Sequence, residues 1–181
     1  LNGRPNEIAQ SGVEFIGDGS MEADIEVISM AVESLKRCDF NSFKIEIGNA
    51  AFFNCILDRM DISDTQRADI YNYIEGKNYA ALGDLLDLIG TTPETKILKR
   101  LPRLFGDESV IDEAKSLYDC KDAVEALDYL KSVYRALCDA GLKEHIMLDL
   151  GLVNRSNYYT GVIFHGYAEG SGLTVLAGGR Y

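Results

Sequence analysis

The sequence predicts an α+β fold, an antiparallel sheet interrupted by an inserted small helical subdomain. Three observations carry that prediction. Apolar residues alternate in short runs near both ends of the chain. Between about residues 50 and 118 only helical spacings occur, broken at Gly76, Gly90, Pro93 and Gly106. The chain then closes on a strand–turn–strand pattern. Residues 1–50 and 119–181 accordingly form the sheet core, and 51–118 the helical insertion.

Residues Leu1 to Gln10 are polar and carry Gly and Pro, which reads as a loop. Val13 and Phe15 alternate with Gly12 and Glu14, which suits a strand with two unlike faces. Ser20 is placed to cap a helix, with Glu22, Asp24 and Glu26 at its positive end and Lys36 and Arg37 at the other. Val27, Ile28, Ala31, Val32 and Leu35 give that helix one apolar stripe. Phe43, Ile45 and Ile47 alternate with Lys44 and Glu46 as a half-exposed strand. In the middle stretch, Leu82, Leu85, Leu86 and Ile89 form one stripe, and Ile97, Leu98, Leu101 and Leu104 another. Ala123 to Leu137 is a long amphipathic helix, His145 to Leu150 a buried strand. Tyr158–Tyr167 and Leu173–Ala177, joined through Gly170-Ser171-Gly172, form a hairpin.

Charge narrows the function classes. The chain carries 29 acidic and 18 basic residues, a net charge of −11. A nucleic-acid binder needs Lys and Arg to neutralise phosphates, so this balance argues against nucleic acid as a partner. The densest basic segment, Lys96, Lys99, Arg100 and Arg103, has the spacing of a solvated helix face. No apolar run reaches the length of a membrane span, and no signal peptide is apparent. Cys38, Cys55, Cys120 and Cys138 are scattered and His145 and His165 lie far apart, so no metal-site spacing is present and reduced thiols are expected. Neither a metal nor a cofactor is implied.

Three constellations carry possible chemistry. On a strand, Gln10, Gly12 and Glu14 share one face, with the Gln10 and Glu14 Cα atoms roughly 13 Å apart. Gly12 then leaves a bare floor between an amide and a carboxylate, where the ammonium of an amino acid meets Glu14. The same residues also suit a plain exposed strand face with Gly12 at a bulge. Tyr158 and Tyr159, in Asn157-Tyr158-Tyr159-Thr160-Gly161, point to opposite strand faces, either as a polar anchor in an apolar pocket or as packing. In Gly178-Gly179-Arg180-Tyr181, paired glycines permit close backbone approach beside an arginine able to contact a carboxylate or phosphate; a turn uses the same residues.

In this order the three segments resemble the histidyl-tRNA synthetase family. Gly3-Arg4-Pro5-Asn6-Glu7-Ile8-Ala9-Gln10-Ser11-Gly12-Val13-Glu14 is similar to that family's motif 2 pattern, G-R-x-R-E-F-x-Q-x-G-x-E. Leu152-Val153-Asn154-Arg155-Ser156-Asn157-Tyr158-Tyr159-Thr160-Gly161 resembles its histidine-binding signature, L-V-R-G-L-D-Y-Y-T-G, and Gly178 to Tyr181 its G-G-R-Y. The resemblance implies a class II aminoacyl-tRNA synthetase catalytic-core sheet, with histidine held by Gln10, Glu14, Tyr158 and Tyr159. Arg4, Gly12, Arg155, Gly178, Gly179 and Arg180 are the implied pocket lining. It also implies a dimerisation motif upstream and an ATP-binding motif downstream of these 181 residues.

Departures from the family pattern decide the expected function. Asn6 and Asn154 stand where the enzymes carry arginines that bind substrate and act on the activated carboxyl group. A neutral amide offers no charge-assisted bidentate contact, and losing one preorganised donor costs roughly a hundredfold or more in rate. Arg155 restores one charge only through a one-residue slip that reverses side-chain direction. A kept histidine pocket beside damaged activation chemistry resembles the regulatory subunits of ATP phosphoribosyltransferase. That resemblance implies a cytoplasmic, non-catalytic protein of histidine biosynthesis. Its implied partners are the short-form catalytic subunit and histidine as feedback ligand, in a homodimer within a hetero-octamer. A histidyl-tRNA synthetase core fragment and a free-standing histidine sensor are the alternatives.

Overall fold

The computed structural model describes residues 9–40, 42–153, 158–168 and 174–181. Helix α1 (Met21–Arg37) starts where expected: the Ser20 side chain accepts from the Ala23 N–H, with Glu22 and Asp24 in the first turn and Lys36 and Arg37 in the last. Strand β1 (Phe43–Asn49) follows, then α2 (Ala50–Asp58), α3 (Asp64–Glu75), α4 (Tyr79–Ile89) and α5 (Pro93–Arg100). Reciprocal capping boxes open α3 (Ser63 with Gln66) and α5 (Thr92 with Thr95, ahead of Pro93). A two-residue strand β2 (Phe105–Gly106), α6 (Ser109–Leu117) and α7 (Lys121–Asp139) lead into β3 (Ile146–Asp149), β4 (Val162–Ala168) and β5 (Thr174–Gly179).

The five strands form one sheet in the order β2-β3-β1-β4-β5. The β4–β5 hairpin forms as expected, with Phe164 opposite Gly178 and Ile163 opposite Gly179. β1 pairs antiparallel with β4 along its whole length, Phe43 opposite Ala168 and Asn49 opposite Val162. Among the four pairings of the described strands only β1 and β3 run parallel, Ile45 beside Ile146. A parallel neighbour requires a crossover, and α7, which packs on β1 directly before β3, provides it.

Alternation along the strands gives the sheet two unlike faces. Phe43, Ile45, Ile47, Ile146, Leu148 and Phe164 are buried on the face that meets the helices, where Ile28, Val32 and Leu35 of α1 and Leu130 and Val133 of α7 complete the core. The opposite, more open face carries Lys44 and Glu46 of β1, Asp149 of β3, Ile163 and His165 of β4 and Gly179 of β5. Asn49 locks α2 to its surroundings: its Oδ1 caps the Ala51 N–H at 2.9 Å and its Nδ2 donates to the Ala126 carbonyl at 3.2 Å.

Two expectations change. Residues 9–19 form no strand, and Val13, Phe15 and Ile16 are 60, 48 and 76% exposed. Alternation marks a strand only when a neighbour supplies the ladder, and no described strand lies alongside. The helices of 51–118 also do more than pack on one another. Phe52, Phe53, Ile56 and Leu57 of α2, Leu82 and Leu86 of α4 and Ile97 and Leu98 of α5 belong to one buried cluster continuous with the sheet core. β2, from within the same stretch, adds a strand to the sheet. The basic segment is the solvated face that its spacing implied, with Lys99 paired to Asp87 and Arg100 to Glu113 at 2.7 Å.

Candidate functional site

The site is built where the end of β5 meets the chain entering β4. Beyond the hairpin, the Arg180 N–H donates to the Val162 carbonyl and the Thr160 N–H to the Arg180 carbonyl, both at 2.8 Å. These bonds carry the ladder past both strands and hold Tyr158 and Tyr159, just ahead of β4, beside the last residues of the chain.

Gly178 and Gly179 are needed for opposite reasons. A Cβ at Gly179 would lie 2.8 Å from Ile163 Cγ2, 2.9 Å from Tyr159 Cδ1 and 2.9 Å from the Val162 carbonyl oxygen. Only a bare backbone therefore lets the Tyr159 ring settle on the open face. A Cβ at Gly178 would run into the Phe164 ring on the helix-facing side. The close approach expected of the paired glycines thus makes room for Tyr159 at Gly179 and for Phe164 at Gly178.

Three tyrosines cluster here. Tyr158 meets Tyr159 edge-on, with centroids 5.4 Å apart, and stacks on Tyr181 at 4.7 Å and 23°. Glu14 and Tyr158 are the groups near enough to act on the Tyr181 hydroxyl. Loss of hydration, then the Glu14 charge and Tyr158, push its pKa above the ordinary phenol value. Tyr181, which closes the Gly178–Tyr181 motif, joins this cluster. Its signal was period two: Gly179 and Tyr181 point the same way, so a pocket floored by Gly179 has Tyr181 beside it.

The structure brings together Glu14, Tyr158, Tyr159, Gly179 and Tyr181. Gln10 and Gly12 lie exposed on the same irregular segment as Glu14, with open space around the Gly12 Cα. Arg4, Asn6, Asn154 and Arg155 lie outside the described residues. Arg180 does not reach the pocket. Its Nε donates to both Asp24 oxygens at 3.1 and 3.2 Å, its Nη2 pairs with Asp24 at 2.8 Å, and Nη2 also donates to the Ser20 carbonyl at 2.5 Å. Burial opposes the guanidinium's charge, but the Asp24 carboxylate outweighs it and holds the Arg180 pKa above its usual value. The arginine read as a contact for carboxylate or phosphate is therefore engaged inside the protein.

His145 stacks on Phe43 with centroids 4.6 Å apart, and burial lowers the pKa of His165 on β4. All four cysteines are free, and burial pushes the Cys55 thiol up to about 12. Among the described residues there is no group of three or more His, Cys, Asp or Glu side chains able to hold a metal ion, and no helix long and apolar enough to cross a membrane.

Known proteins share both the sequence and the sheet. A family model described as Histidyl-tRNA synthetase matches residues 2–181. An ATP phosphoribosyltransferase regulatory subunit of Clostridium novyi is 44% identical over 184 residues, which cover 100% of this chain and 44% of that protein. The chain thus spans less than half the length of the curated relatives it matches. Among solved structures, an ATP phosphoribosyltransferase regulatory subunit/histidyl-tRNA synthetase from Bacillus halodurans superposes with a TM-score of 0.83 at 31% identity, over 91% of this chain and 44% of its own. The ATP phosphoribosyl transferase (HisG:HisZ) complex from Thermotoga maritima matches at 0.69 and 23% identity, over 90% of this chain and 57% of its own, a likeness of fold. With a family match along nearly its whole length, on a sheet of this shape, the chain belongs to the histidyl-tRNA synthetase family.

Proposed function

We propose that the protein is a non-catalytic regulatory subunit of ATP phosphoribosyltransferase that binds histidine and confers feedback control on a short-form catalytic subunit. The observation that carries this reading is the mismatch between its two halves of chemistry. Glu14, Tyr158, Tyr159 and Tyr181 keep a pocket with a carboxylate for an ammonium group and aromatic surface for a ring. Asn6 and Asn154 stand where the family's enzymes carry cationic groups, and Arg180 is tied to Asp24. An amino acid can be held there, but Asn6, Asn154 and the engaged Arg180 offer its carboxyl group no preorganised charge for activation. The relatives' names point the same way. This reading assigns an amide contact to Gln10, on the same segment as Glu14, and carries a homodimer within a hetero-octamer as its assembly.

The test uses the full-length protein. Histidine is titrated calorimetrically into it, alone and with the catalytic subunit, while phosphoribosyl transfer is followed with and without it. Specific histidine binding, together with transfer that becomes histidine-sensitive only in the complex, is the expected result. Histidine-dependent ATP–pyrophosphate exchange by the protein alone would overturn the reading in favour of a synthetase. Histidine binding without any association with the catalytic subunit would leave a lone sensor.

A further inference from the structure

We infer that Arg180 is a positioning residue that acts on the ligand through the tyrosines on either side of it, by way of Asp24. Gly179 and Tyr181 face the open side of the sheet, so Arg180 between them faces the helices, where its side chain meets the N-terminal turn of α1. A ligand seated on the open face meets Tyr159 and Tyr181 while the guanidinium lies behind the sheet. The Asp24 carboxylate there takes both the arginine and the Tyr129 hydroxyl of α7, the latter at 2.8 Å. The Asp24 and Arg180 side chains are 11 and 23% exposed, so the cluster is largely withdrawn from solvent.

Arg180 is also gripped from its backbone. Its N–H and carbonyl bracket residues 160–162, and a Cβ on Gly161 would come within 2.9 Å of Arg180 Cδ. One residue therefore fixes the segment that carries Tyr158 and Tyr159 on one side and Tyr181 on the other. It ties both to α1 through Ser20 and Asp24 and to α7 through Tyr129. A bidentate guanidinium–carboxylate pair suits this task because it fixes orientation as well as distance.

The inference rests on the histidine reading for its ligand but not for its geometry, and the experiment separates the two. Full-length protein carrying fluorotyrosine gives ring resonances for Tyr158, Tyr159 and Tyr181, assigned by Tyr→Phe exchanges. Without ligand, Arg180→Gln and Asp24→Asn should shift the same three resonances, with Arg180→Lys between them and wild type. Histidine affinity should fall on the order of tenfold in either variant, and the double variant should be no weaker than the worse single one. Tyr129→Phe, a smaller change, covers the case in which Arg180→Gln does not fold; it should shift the resonances in the same direction. Resonances unmoved in soluble, folded variants would overturn the positioning role, as would affinity losses that add across Asp24 and Arg180. Shifted resonances in a protein that takes no histidine would uphold the positioning and refute the ligand.

Discussion

Replacing Gly179 with alanine tests whether the bare backbone on the open face makes the pocket. The new methyl group would sit 2.8–2.9 Å from Ile163 Cγ2, Tyr159 Cδ1 and the Val162 carbonyl oxygen, each about half an ångström inside ordinary van der Waals contact. Ile163 is buried and the carbonyl belongs to the ladder, so neither yields easily and the Tyr159 ring gives way first. Overpacking of this kind costs about 1–3 kcal/mol, and moving an anchoring ring by half an ångström or more should weaken histidine binding on the order of tenfold. Gly178→Ala is the matched control. Its methyl group strikes Phe164 on the helix-facing side, so a similar loss of stability is expected with affinity nearly intact. Urea unfolding gives the first quantity and calorimetric titration of the full-length protein the second. Wild-type affinity in the Gly179 variant, or an equal loss in both, would refute the assignment of the two faces.

Four further outcomes are expected. Glu14→Gln keeps size but loses the charge that meets an ammonium group, so calorimetry should show affinity reduced about tenfold to a hundredfold, and Tyr159→Phe less; unchanged affinity would make the pocket a relic. Histidine-dependent ATP–pyrophosphate exchange should be absent, since Asn6 and Asn154 supply no cation, and clear exchange would restore the synthetase reading. Burial holds the Asp149 carboxyl above the ordinary carboxylate value, against the Gly151 N–H and Lys77. The folded state then binds more protons than the unfolded one from the usual carboxylate range upward, so stability falls as pH rises through that window. Asp149→Asn, which still accepts from Gly151, should raise the urea midpoint at neutral pH and flatten this dependence; a lower midpoint would contradict it. Deleting residues 60–115 with a short linker should give an aggregating chain, because the cut removes β2 and strips the cover from α2; a folded, monomeric product would show that the insertion is separable after all.

The parts of the fold that were legible in the sequence are those that depend on local pattern. The Ser20 cap, the α1 stripe, β1 and the final hairpin all follow from spacing and charge within a few residues. The parallel β1–β3 pairing was not legible, because nothing in either strand states which neighbour it will find across the helical stretch. The strand expected at Val13 and Phe15 failed for the same reason, an alternation without a described neighbour. At the site, Glu14, Tyr159 and Gly179 came from motifs and do converge. Arg180 came from the same motif but points away, because its position on the strand outranks its chemistry. Tyr181 was within reach of the sequence by that rule, had the period been carried one residue pair further.

The position of β1 at the centre of the sheet also sets the order of assembly during synthesis. Both of its partners lie far downstream, Ile45 pairing with Ile146 on one side and Gly166 on the other. At about 5–20 residues per second, the roughly hundred residues separating β1 from β3 take on the order of 5–20 seconds to emerge. Throughout that interval Phe43, Ile45 and Ile47 form an apolar strand with two unfilled edges, shielded only by what α1 and the first helices after it can cover. Closing such distant pairs makes the sheet the slow, late event of folding, after the helices have formed. Lys44 and Glu46 alternate with these residues, so the apolar surface of the waiting strand is confined to one face.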